Sequence, residues 1–215
     1  MMEKYMQKFS DILQTEDKEA CVAWVKKNLD EGSFNVVELY VDILTPALNS
    51  IECTMENEAM CIWKEHVKTS IVRSIIEMAY PHVLNMRDET CNGKKKSTVL
   101  ILCPPNELHE IGARMVADFF TIAGFNTIFI GSNTPKHAFL AAIKEMEPKY
   151  VGISITNTYH LFKTHKIITE IRDAASGTGL KIILGGSVFN EREGLLEDLN
   201  ADLQLMTFKD ICTLD

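Results

Sequence analysis

At residue 98 the hydrophobic pattern of this 215-residue chain changes its period. From there on, short apolar runs at 98–103, 127–130, 150–155, 181–184 and 201–205 alternate with stretches of helical period at about 109–123, 135–146, 160–175 and 190–198. Strand-sized apolar runs separated by helices are the pattern of a parallel sheet covered on both faces. Five such strands predict a flavodoxin-like, doubly wound sheet. Folds of that class bind ligands beyond the carboxyl ends of their strands, where the strand order reverses. Chemistry is therefore expected in the loops at 104–112, 131–135, 154–159 and 185–190.

Before the break the period is helical. Val36, Tyr40, Ile43 and Leu44 fall on one face, and a longer stripe runs Ala59, Ile62, Trp63, His66, Val67, Ser70, Ile71, Ile75, Met78. Helices are expected at about 2–14, 16–30, 34–50 and 56–86, and short connections between amphipathic helices favour an antiparallel bundle. Residues 87–97 carry no large apolar group and read as a linker. The fold class is thus α + α/β: a four-helix bundle at 1–86, a linker at 87–97, and a five-stranded doubly wound parallel sheet at 98–215.

Composition removes several function classes. The net charge is −8 and neither half is basic, so binding to nucleic acid through its phosphates is disfavoured. Six scattered cysteines without a C-x-x-C pair argue against a zinc site or a disulfide framework and suit the cytoplasm. No apolar run is long enough to span a membrane, and the first ten residues lack a signal-peptide pattern. Neither a Ser/His/Asp nor a Cys/His constellation is evident, so independent turnover is not expected.

The loops that remain hold unusual residues. After the first strand comes Pro104-Pro105-Asn106-Glu107-Leu108-His109-Glu110-Ile111-Gly112. The prolines end the strand and turn the chain out over the sheet edge. An imidazole that binds a metal needs one nitrogen free and the other N–H held by an acceptor, and Glu107 is placed to hold it. After the third strand, Ser154 and Thr156 flank Ile155 and so face one side. After the fourth, the pair Gly185-Gly186 lets a bulky ligand lie against bare backbone. Each feature alone is common, as a cap or a tight turn.

The array E-x-H-x-x-G at 107–112, G-I-S-I-T at 152–156 and G-G at 185–186 resembles the cobalamin-binding domain family. The usual signature of that family is D-x-H-x-x-G, then S-x-L or S-x-T, then G-G, after a four-helix bundle. The resemblance implies a cobalamin cofactor (adenosyl-, methyl- or hydroxocobalamin) whose dimethylbenzimidazole tail leaves cobalt. His109 then becomes the lower cobalt ligand, with Glu107 as its polar support. Ser154 and Thr156 contact the buried tail, Gly185 and Gly186 open its slot, and Leu108, Ile111 and Gly112 border the corrin.

Two further segments bear on function. Gly124 to Pro135 is similar to the corresponding stretch of light-responsive CarH- and AerR-like regulators, and Gly112-Ala113-Arg114 departs from the Gly-Lys-Asn of corrinoid methyl carriers. CarH-like sensors also carry a Glu-His pair on the fourth helix, matched here by Glu65-His66. Their upstream Trp is replaced by Met55, which leaves Trp63 to cover the upper face and His66 as a candidate upper ligand. The resemblance thus implies a light-responsive cobalamin sensor or regulator. The alternative is a corrinoid protein that carries methyl groups between methyltransferases. Either needs a protein partner, a regulator or a methyltransferase, and a homo-oligomer fits both. No direct nucleic-acid or membrane binding is implied.

Overall fold

A computed structural model describes residues 2–50, 58–91, 94–191 and 194–215. The chain divides into two compact units, Met1–Met86 and Arg87–Asp215.

The first unit is helical: α1 (Met2–Gln14), α2 (Lys18–Asp30), a rod made of α3 (Val36–Glu38), a π segment (Leu39–Leu44) and α4 (Thr45–Asn49), and the long α5 (Glu58–Cys91). Each start has a local cause. Asp17 caps α2 by accepting from the Ala20 N–H, and Asn35 with Glu38 forms a reciprocal capping box at α3. The π segment lies just before Pro46, which has no N–H and whose ring crowds the carbonyl four residues back. Widening the turn moves the bonding, and the Thr45 N–H reaches the Tyr40 carbonyl. Rings of Tyr5, Phe9, Trp24 and Phe34 pack against one another between α1 and α2, with centroids 5.5–6.2 Å apart.

Three expectations for this half need correction. The polar 87–97 segment is helical through Cys91, because Arg87 to Cys91 contains neither Gly nor Pro to stop α5. The buried stripe of α5 runs through Cys61, Lys68, Ile71, Val72, Ile75 and Ile76, whereas Ala59, Ile62, Trp63, His66 and Ser70 are exposed. Cys61 is disulfide-bonded, against the reading of unpaired cysteines. Cys21, Cys91, Cys103 and Cys212 are free.

The second unit is the doubly wound sheet. It comprises β1 (Thr98–Leu102), α6 (Ile111–Ile122), β2 (Asn126–Gly131), α7 (Lys136–Met146), β3 (Tyr150–Ser154), α8 (Leu161–Ala174), β4 (Lys181–Gly185), α9 (Val188–Glu191), α10 (Leu195–Asp198), β5 (Leu203–Gln204) and α11 (Phe208–Cys212). The strand order is β2-β1-β3-β4-β5, and every pair is parallel. Val99 to Leu102, Val151, Ile153 and Ile182 to Leu184 are buried, as strands covered on both faces require. The expected 190–198 helix is split into α9 and α10, and α11 lies beyond the last predicted element.

Register sets the geometry of the C-terminal edge. Leu102 pairs with Gly131 on one side and Ile153 on the other, and Ser154 pairs with Gly185. The loops after β1, β2, β3 and β4 therefore leave the sheet side by side.

A clamped histidine at the switch point of the sheet

The strand order reverses between β1 and β3, and Glu107 bridges that crevice. The carboxylate is fully buried. Its Oε1 accepts from the His109 ring Nδ1 at 2.6 Å and from the His109 backbone N–H at 3.1 Å. Its Oε2 accepts from the backbone N–H groups of Thr156 at 3.0 Å and Asn157 at 3.1 Å. Two oxygens thus take four hydrogen bonds, two from each side of the crevice, which satisfies a buried carboxylate. Burial pushes the Glu107 carboxyl upward. The hydrogen bonds from the His109 ring and from Thr156, His109 and Asn157 outweigh it and hold the group below the ordinary glutamate value.

An ionised carboxylate only accepts, so the Nδ1 facing it carries the proton. In the neutral ring the lone pair then lies on Nε2. The His109 side chain is 56% exposed although its partner is completely buried. This is the arrangement a metal-binding imidazole needs: one nitrogen held and oriented, the other presented outward.

Neighbouring groups complete the site. Cys103, at the end of β1, lies with Sγ 3.9 Å from the His109 carbonyl. Burial, reinforced by Glu107 and Glu110, pushes its thiol up to about 12, so it stays protonated and is a poor nucleophile. The Ser154 side chain makes no hydrogen bond among the described residues, and the Thr156 carbonyl accepts from Ser187 Oγ at 3.5 Å. Leu108, on the loop after β1, and Tyr159 and Phe162, in the short 3-10 turn after β3 and the first turn of α8, stand exposed. Ile111, at the first turn of α6, is buried.

The two glycines of the 185–186 pair differ. Gly186 adopts φ +110°, and a Cβ there would fall 2.1 Å from the Ile155 carbonyl oxygen. Its own chain therefore demands a glycine whether or not a ligand lies against it. A Cβ on Gly185 or on Gly112 would meet nothing within 4 Å.

Sequence reasoning brought Glu107, His109, Ser154, Thr156 and Gly185 to one sheet edge, and the structure places all five there. It missed Asn157, whose N–H completes the Glu107 cradle. The signal was present: an Asn before a helical turn is a local cap, and the Asn157 side chain accepts from the Tyr159 N–H at 2.9 Å. It also missed Glu110, whose carboxylate accepts from Ser132 at the end of β2. Of the residues expected at the upper face, Trp63, Glu65 and His66 lie exposed on α5 in the helical unit, and Met55 lies outside the described residues. Among the described residues no helix is long and apolar enough to cross a membrane.

A model of the B12 binding domain family matches residues 97–206, slightly more than half of the chain. Among curated proteins, trimethylamine corrinoid protein 1 of Methanosarcina acetivorans is 23% identical over 185 residues, which cover 86% of this chain and 84% of that one. The dimethylamine corrinoid protein of Methanosarcina barkeri is 21% identical with the same coverage. The trimethylamine corrinoid protein of that organism is 28% identical over 126 residues, covering 52% of this chain and 58% of the relative. Among solved structures, the monomethylamine corrinoid protein of Methanosarcina barkeri superposes with a TM-score of 0.78 at 14% identity, over 99% of this chain and 97% of that one. It shares the fold. These relatives are corrinoid proteins, which favours the carrier reading over the light-responsive regulator.

Proposed function

The chain belongs to the B12-binding domain family, and from that premise we propose that it is a corrinoid protein that carries methyl groups between methyltransferases, with His109 as the lower cobalt ligand. The observation that carries the reading is the Glu107–His109 pair. A buried, ionised carboxylate holds Nδ1 at 2.6 Å and leaves Nε2 facing outward, so the residues present fit a cobalamin bound with its own base displaced.

When bound, the corrinoid supplies a cobalt centre able to accept a methyl group and pass it on. The chain's own residues do the rest. Glu107 fixes the tautomer and orientation of His109 and keeps its ring from turning away. Ser154, Thr156 and the open side of Gly185 border the crevice where the nucleotide tail would lie, and Leu108, Ile111 and Gly112 border the corrin. On the helical unit, Trp63, Glu65 and His66, with Met55, are the residues proposed for the upper face. The relatives named for methylamines make a methyltransferase the partner to expect.

The test is reconstitution of the purified chain with hydroxocobalamin. His109→Ala is expected to lose the histidine-bound spectrum and bind more weakly. The reduced wild-type holoprotein is expected to take up a methyl group from a chemical methyl donor and to show no change of assembly under light. A light-driven change of assembly without methyl uptake would favour the regulator instead.

A further inference from the structure

The loop that carries His109 holds two glutamates, and only one of them has been given a role. Glu107 reaches toward β3. Glu110 reaches the opposite way: its Oε2 accepts from the Ser132 backbone N–H at 3.1 Å and from the Ser132 hydroxyl at 2.7 Å, at the exit of β2. The strand order places β1 between β2 and β3, so the two carboxylates pull on opposite sides of the same loop. The backbone of that loop is tight as well, with the Glu110 N–H donating to the Leu108 carbonyl at 2.9 Å across His109. The Cys103 N–H donates to the Gly131 carbonyl at 3.2 Å, so the exits of β1 and β2 are already paired below the carboxylate. Gly131 adopts φ +86°, and a Cβ there would meet Glu110 Oε2 at 3.5 Å. The exit of β2 is thus shaped so that Ser132 presents both of its donors to Glu110.

We propose that Glu110 is a positioning residue for the lower ligand: its bond to Ser132 anchors the β2 side of the loop and sets the direction in which His109 presents Nε2. The inference rests on the reading that His109 binds cobalt. Glu107 alone fixes how the ring turns about its own bonds. A ring hung from one side still swings with its backbone, and a metal bond is sensitive to such displacement. With Ser132 holding the other side, the loop is fixed at both ends and the ring is oriented before the cofactor arrives.

The experiment uses the full chain loaded with hydroxocobalamin and reduced to cobalt(II), with histidine labelled with heavy nitrogen. Electron paramagnetic resonance then reports whether a histidine nitrogen is bound. In Glu110→Ala the equilibrium between histidine-bound and histidine-free forms should fall by roughly tenfold, the lower end of what an outer partner of a metal ligand contributes. Ser132→Ala should shift it the same way by less, since one backbone donor remains. The double variant should be no worse than Glu110→Ala, and Glu110→Gln, which keeps an acceptor oxygen, should recover most of the bound form. The unfolding midpoint of each apoprotein is read alongside. A residue that only stabilised the fold would move that midpoint and leave the histidine-bound fraction unchanged, which would overturn the proposal. Wild-type protein without histidine coupling would overturn the ligand reading itself, and this inference with it. Coupling that is equal in wild type, Glu110→Ala and Ser132→Ala would leave the ligand reading standing and remove Glu110 from it.

Discussion

The loops at the C-terminal edge of the sheet and the first half of α5 carry the two groups of residues proposed for the cofactor, and they are built in opposite ways. In the loops the two carboxylates beside His109 are tied down: Glu107 takes four hydrogen bonds and Glu110 takes two from Ser132. On α5 the side chains of Ile62, Trp63, Lys64, Glu65 and His66 are exposed, and Glu65 and His66 make no hydrogen bond or ion pair among the described residues. Hydrogen bonds are concentrated around His109, the proposed lower ligand, and the side chains at 62–66, proposed for the upper face, are left exposed. A carrier needs a fixed lower ligand and an accessible upper position, and the contrast fits that division.

The largest expected effect tests whether the loop cluster is as rigid as described. Gly186→Ala puts a Cβ 2.1 Å from the Ile155 carbonyl at a φ that side chains avoid. Overpacking and backbone strain together should cost about 3 to 5 kcal/mol in urea unfolding of the apoprotein. Gly185→Ala, one residue earlier and facing open space, should stay within about 0.5 kcal/mol. Gly185→Leu should then weaken cobalamin binding more than binding of cobinamide, which has no tail. Equal stability losses at the two glycines would break the distinction between them.

Next comes the cradle itself. Glu107→Ala leaves the part-buried N–H groups of Thr156 and Asn157 without their acceptor and the His109 ring without its support. A cost on the order of 3 kcal/mol is expected for several donors to one charged group, with a fall in cobalamin affinity of roughly 10- to 100-fold. Acid should expose the same group more gently. A carboxyl held below its ordinary value when folded stabilises the protein fully above its unfolded pKa of about 4.3, and that contribution disappears as the pH falls through the folded value. Wild-type stability should therefore decline below about pH 4, and Glu107→Gln should show a shallower decline. Parallel pH curves would mean that Glu107 is not a source of the acid sensitivity.

Much of this was legible in the sequence, for reasons that also explain the misses. The βαβα alternation, the strand order class and the loop address of His109 follow from periods and turn residues, which are local. The cradle was half legible, because a Glu two residues before a His is visible but its second oxygen depends on β3 lying next to β1. The backbone demand at Gly186 was not legible, because a missing side chain looks the same whether it makes room for a ligand or for the Ile155 carbonyl. The α5 stripe was misread because two apolar faces coexist there: Cys61, Ile71, Val72 and Ile75 point inward, while Ile62 and Trp63 point outward with similar spacing. Period finds a face but does not say which face is buried when both are apolar.

That ambiguity supplies the smallest predicted effect and the sharpest check on the comparison. If the outward face of α5 serves a ligand and not the core, then Trp63, at 59% exposure, contributes little to folding. Trp63→Ser and His66→Ala should each change apoprotein stability by no more than about 0.5 kcal/mol, the range for surface positions without a special contact. Lys68 offers the contrast from one turn further along. It is buried, with its ammonium donating to the Gln14 side chain at 2.6 Å, and burial lowers its pKa. Lys68→Ala should cost about 1 to 3 kcal/mol through lost packing and an unpaired Gln14. The same three variants loaded with hydroxocobalamin should keep the His109-bound signal, because the Glu107 and Ser132 bonds that hold the loop cluster lie within the sheet unit. A loss of more than 1 kcal/mol in Trp63→Ser would mean that the outward face is packed, and the contrast between the clamped loops and the exposed face of α5 would fail.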